Sequence, residues 1–212
     1  MNLFRILRDH AQRVPEDVAT SSSRHRLTTW RKLWSRVERA SARLQGEWLV
    51  ESGDVVMYCG NGHPDALILW LALARIGAVL LPLETAELRQ RASTIADRHG
   101  VRLLLYDDGI VAPLQDDFCA CKPLSLLISR RCDHVANGCR ESVQEPSLIV
   151  SLTGAGNEAH GQETRSFNLL ELMDQSGAPV DWPDASPALF DPDRLRRQIL
   201  PALVSGTHLR FA

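Results

Sequence analysis

Apolar positions along the chain change period in a regular way, and the changes mark out its elements. Leu3, Phe4, Leu7 and Ala11 recur at helical spacing until Pro15 closes the run. Residues 18–20 and 26–28 read as two short strands about a Ser-rich turn, with Thr28 or Thr29 placed to cap the next helix. That helix carries the stripe Trp30, Leu33, Trp34, Val37, Ala40 and Leu44, the tryptophans being most simply core. A strand is predicted over 55–58, after Gly53-Asp54. Asn61-Gly62 is a turn, and Pro64 suits the first turn of a helix over 65–76 that is apolar nearly all round. Gly77 is its expected C′ residue. A strand over 78–83, a helix over 85–99 and a strand over 101–106 follow.

Strand and helix thus alternate at the spacing of right-handed crossovers, which predicts an α/β fold with a mainly parallel sheet flanked by helices. The 212 residues suffice for one substantial core. They read as a single domain over 1–212, with helices and short strands in 1–50 and the parallel subdomain in 51–212. Residues 109–145 read mostly as loop, with one further strand expected over 124–128. A buried strand at Leu148-Ile149-Val150 precedes a loop holding Thr153, Gly154, Gly156 and Gly161. A helix carrying Phe167, Leu169, Leu170 and Met173 is expected from near Ser166, and another over 192–204. A strand, a glycine loop and a helix in succession can surround an anion with backbone N–H groups.

Composition removes several functional classes. A 44% apolar and 24% charged chain with net charge −2 is ordinary for a globular protein, and gives no electrostatic reason to expect nucleic acid or an anionic membrane. Residues 66–83 are nearly all apolar, but Arg75, Gly77 and Pro82 interrupt them, so a buried helix and strand fit better than a membrane span. The amphipathic pattern starts at once after Met1, so no signal peptide and a cytoplasmic setting are expected. Lys32 and Lys122 are the only lysines, which leaves lysine-based catalysis almost no candidates.

The loop and the order of the flanking motifs resemble the acyl-adenylate-forming ligases, the AMP-binding superfamily of acyl-CoA synthetases and adenylation domains. Their phosphate-loop pattern reads roughly Y-T-S-G-T-T-G-x-P-K-G, followed by an N-L-L helix start. Laid on it without gaps, Thr153 takes the Ser position, Gly154 the first Gly and Gly161 the last, and Asn168-Leu169-Leu170 falls on N-L-L. Asn2-Leu3-Phe4, the segment Arg13 to Ala19, Gly53-Asp54, the run 78–83 and the stretch Ile199 to Gly206 match further family segments in the same order.

The departures concentrate in the loop. Ala155 and Gly156 replace two hydroxyl residues, Asn157 replaces the second Gly, Ala159-His160 replaces Pro-Lys, and Glu158 brings an acid to where phosphate would sit. The adenine- and ribose-binding motifs, the acceptor-site residues and the family's catalytic lysine have no counterpart in these residues. The resemblance therefore implies the first part of such a domain, trimmed internally and stopped early, with a degenerate phosphate loop of Thr153, Gly154, Gly156, Asn157, His160 and Gly161. It implies no catalytic residue and ATP or AMP held at most weakly. The expected role is a non-catalytic binding or scaffold subunit, working as a homodimer or with a protein partner such as an acyl carrier protein or a biosynthetic enzyme. The alternative is a ligase completed by a partner chain.

Two further features stand apart from that resemblance. Cys119, Cys121, Cys132, His134 and Cys139 crowd one segment and are candidate zinc ligands, although C-x-C is not the usual zinc spacing; the plainer reading is free thiols in a loop. His63 follows Gly62 at a strand-to-helix turn, at the carboxyl end of a strand, where α/β sites form; the plainer reading is a solvated loop residue.

Overall fold

The computed structural model describes residues 2–22, 27–83, 85–110, 119–128, 146–152, 163–174 and 189–211, the side chains of 85–91 and of a few residues bordering the gaps aside. Its centre is a six-stranded sheet. In chain order the strands are β3 (Val55–Cys59), β4 (Val79–Leu83), β5 (Val101–Tyr106), β6 (Ala120–Pro123), β7 (Pro146–Leu152) and β8 (Glu163–Asn168). They lie in the order β6-β5-β3-β4-β7-β8, every neighbouring pair parallel except β7 with β8. The mainly parallel α/β fold expected from the alternation is what forms.

Strand alternation divides the core. Val56, Tyr58, Leu80, Leu103, Leu105, Leu148 and Phe167 face one apolar layer, and Met57, Cys59, Leu81, Leu104 and Ile149 face the other. The first layer is filled by α3 (Pro64–Ile76), whose residues from Ala66 to Ile76 are all buried. A helix apolar all round is stable only with neighbours on every side. The sheet, α2 (Trp30–Gly46) and α5 (Leu124–Ile128) supply them. Ser41 Oγ donates to Val37 O (2.9 Å) and to Ala72 O (3.3 Å), as a small residue at a close helix crossing can. The second layer lies under α4 (Thr85–His99), which contributes Ala92 and Ala96.

A second, three-stranded sheet has the order β2-β1-β9, built from β1 (Val18–Ser22), β2 (Leu27–Thr29) and β9 (Leu209–Phe211). α1 (Leu3–Arg13) packs on α2 with Leu3, Phe4 and Leu7 buried. Asn2 and Thr29 cap α1 and α2 through their side chains. Gly77 ends α3 at φ 77°, the left-handed conformation expected of a C-terminal glycine.

Four expectations need correction. Residues 124–128 form the helix α5, not a strand; Arg43, only 4% exposed, donates to the backbone carbonyls of Leu126 and Leu127 and holds that turn. The neighbouring stretch that read as loop contains β6, which ends the strand order of the sheet among the described residues. The residues after the glycine loop do not enter a helix near Ser166. They form β8, in register with β7 from Leu152↔Glu163 to Leu148↔Phe167, and α6 (Leu169–Asp174) begins only after it. Strand pairing with Phe167 buried against the core prevails over a local pattern that is too short to decide. Residues 192–204, expected as one helix, run as α7 (Pro192–Arg194), a π-helical turn (Leu195–Ile199) and α8 (Leu200–Ser205).

Candidate functional site

At the carboxyl ends of parallel strands the backbone turns away and polar side chains can converge, and here they do so beyond β3 and β5. β3 delivers Tyr58, whose ring lies under the sheet and meets Phe190 edge-on at 6.0 Å between centroids. β5 runs into Asp107, whose N–H donates to Cys59 O (3.1 Å). The turn between β3 and α3 supplies Asn61 and His63.

Asp107 gathers all of them. Its Oδ1 accepts from the Tyr58 hydroxyl (2.9 Å) and lies 2.9 Å from His63 Nε2; its Oδ2 accepts from the Asn61 N–H (2.9 Å). His63 also caps α3, its Nδ1 accepting from Asp65 N (3.2 Å), so the ring proton belongs on Nε2, facing the carboxylate. Burial pushes the Asp107 carboxyl upward, but the donors from His63, Asn61 and Tyr58 together outweigh it and hold the group below its ordinary range. Burial, followed by the Asp107 charge, drives the Tyr58 phenol well above its usual value. Gly60 is required by the same crowding: a Cβ there would lie 2.2 Å from the Tyr58 hydroxyl and 2.4 Å from Asp107 Oδ2.

The chemistry available to this cluster follows from its occupancy. Both ring nitrogens of His63 are engaged, the phenol stays protonated, and the carboxylate accepts from three donors. It holds neither a free base nor a nucleophile and acts as a brace locking the β3–α3 turn onto the end of β5. Of its members only His63 stood out in the sequence. Asp107, immediately after a neighbouring strand, and Gly60, inside the turn that follows β3, became legible only once β3 and β5 were adjacent.

The candidate loop, with Thr153, Gly154, Gly156, Asn157, His160 and Gly161, lies outside the described residues. Its flanks do not: β7 ends at Leu152 and β8 begins at Glu163. Asn168 Oδ1 accepts from Glu171 N (2.6 Å) and caps α6, so the N-L-L segment does start a helix. Six residues of strand separate that start from the loop, roughly 17–20 Å of extended chain, so the α6 N-terminus does not directly follow the glycines. Of the candidate zinc ligands, Cys132, His134 and Cys139 also lie outside the described residues. Cys119 and Cys121 sit together at β6 as free thiols. Burial pushes the Cys119 thiol up to about 12 and raises Cys121 as well. Among the described residues no group of three or more His, Cys, Asp or Glu is placed to hold a metal, and no helix is long and apolar enough to cross a membrane.

Helices over both faces of a mainly parallel sheet, with a second small sheet beside it, define the architecture of the N-terminal subdomain of adenylate-forming ligases. The model of the AMP-binding enzyme family matches residues 7–186, and the chain belongs to that family. It is 28% identical over 183 residues to D-alanine–D-alanyl carrier protein ligase of Bacillus licheniformis, covering 84% of this chain and 31% of that protein. It is 23% identical over 188 residues to a plipastatin synthase polypeptide of Bacillus subtilis, covering 85% of this chain and 7% of that one. Among solved structures, the Klebsiella oxytoca NpsA N-terminal subdomain in complex with 3-hydroxyanthranilyl-AMSN superposes with a TM-score of 0.73 at 22% identity, over 100% of this chain and 54% of that one. The o-succinylbenzoate CoA synthetase of Bacillus subtilis superposes with a TM-score of 0.76 at 13% identity, over 98% and 43%. The chain thus spans under a third of these curated relatives and about half of the solved chains.

Proposed function

We propose that this chain is a non-catalytic member of the adenylate-forming family, serving carboxylate-activating biosynthesis in a binding or scaffold role. The observation that carries the reading is the residue content of 153–161. Carboxylate activation needs donors and cations aimed at the charge that develops on phosphate. Family members supply these with hydroxyls, glycine N–H groups and a lysine. This chain keeps Thr153, Gly154 and Gly161, loses two hydroxyls and a glycine, has His160 for the lysine, and adds the acid Glu158. The Tyr58–His63–Asp107 brace offers no replacement, since its groups are spent on one another. ATP or AMP is then bound at most weakly, and the chain works as a homodimer or with a protein partner. A carrier protein is the class suggested by the relative whose name includes a D-alanyl carrier protein. ATP–pyrophosphate exchange across a panel of carboxylic acids, with calorimetry of ATP binding, tests the proposal: no exchange is expected, and robust exchange by the chain alone overturns it.

A second reading, a ligase whose site is completed by another chain, is favoured by one observation. The register of the loop is intact, from Thr153-Gly154 through Gly161 to the Asn168 cap on α6. Exchange activity appearing only on addition of a purified partner supports it over the first.

A further inference from the structure

We draw no further inference here: the strongest candidate, the side-chain cluster between β8 and the π-helical turn in which Arg165 and Arg196 lie over the Phe167 ring at 4.8 and 5.3 Å, carries nothing, because each guanidinium already pairs with a carboxylate, Glu171 or Asp193, and the Arg196 Nε and Nη2 are closed to solvent and lack an acceptor only among the described residues, which do not include Asp181 and Asp184.

Discussion

The Tyr58 hydroxyl donates to the Asp107 carboxylate at 2.9 Å, joining the ends of two parallel strands whose residues are 49 apart in sequence. Three donors converge on that one carboxylate, and its side chain is only 19% exposed. Hydrogen bonds to a charged group contribute about 1.5–3 kcal/mol each, less where water can replace the lost partner. Asp107→Ala is therefore expected to destabilise the chain by about 2–4 kcal/mol, and Tyr58→Phe by about 1 kcal/mol. Gly60→Ala, which drives a methyl into both groups, is expected to cost about 1–3 kcal/mol. Urea unfolding midpoints at constant m-value measure all three. A neutral Asp107→Ala would mean that the turn is held by something else.

The same carboxylate gives the protein an acid limb whose sign is fixed. Asp107 titrates lower in the folded chain than its ordinary 3.8. Between the folded and unfolded values the unfolded chain binds more protons, so stability rises with pH there. The contribution is fully present above about pH 5 and is lost as pH falls through 3.8 toward the lower folded value. Thermal midpoints taken from pH 6 down to 3 should fall less steeply for Asp107→Asn than for the unmodified chain. Parallel curves would remove Asp107 from the acid response.

Much of the fold was legible because its signals are local or periodic. The all-apolar α3, Gly77 behind it and the β-rich runs near 56, 80 and 104 all report burial between layers, and each stands where the pattern put it. The misread segments are those whose state is set by distant contacts. Leu124 to Ile128 is an apolar-rich pentad that could be either element; a buried arginine some 80 residues earlier, bonding its carbonyls, settles it as a helical turn. Glu163 to Asn168 is mostly polar and becomes a strand because β7 lies beside it. The brace at Asp107 was hidden for a similar reason: nothing near residue 107 refers to residue 58.

Arg43 yields the third prediction. Its guanidinium is buried, donates to Leu126 O and Leu127 O (3.2 Å to the latter), and pairs with Glu47 at 3.1 Å. Arg43→Met keeps much of the volume and removes the donors, leaving buried carbonyls that cost about 1–3 kcal/mol. Hydrogen exchange at 124–128 is expected to accelerate by tenfold or more, while exchange in β3 and β4 changes only as global stability does. Uniform acceleration through the sheet would show that Arg43 supports the whole core and not α5 in particular.

The last prediction concerns the loop on which the functional reading rests. Relative to the family pattern, the residue types at Ala155, Gly156, Asn157 and His160 take away groups for two or three hydrogen bonds to phosphate. At about 1.5–3 kcal/mol each, and about 1.4 kcal/mol per factor of ten, their loss weakens nucleotide binding by at least about a hundredfold and by as much as about a millionfold. Glu158 adds like-charge repulsion that acts in the same direction and is reduced by salt. The unmodified chain is thus expected to bind ATP with a Kd near or above about 1 mM, which corresponds to a loss of about 4 kcal/mol, within that range, from a loop of about micromolar affinity. The combined variant A155T/G156T/N157G/H160K is expected to bind at least tenfold more tightly, and adding E158Q should gain a further few-fold that shrinks as salt is raised. Calorimetry of all three proteins with ATP–Mg²⁺ decides the matter. Micromolar binding by the unmodified chain defeats the non-catalytic reading and favours the ligase completed by a partner. A restored loop that binds no better places the defect in residues other than these four.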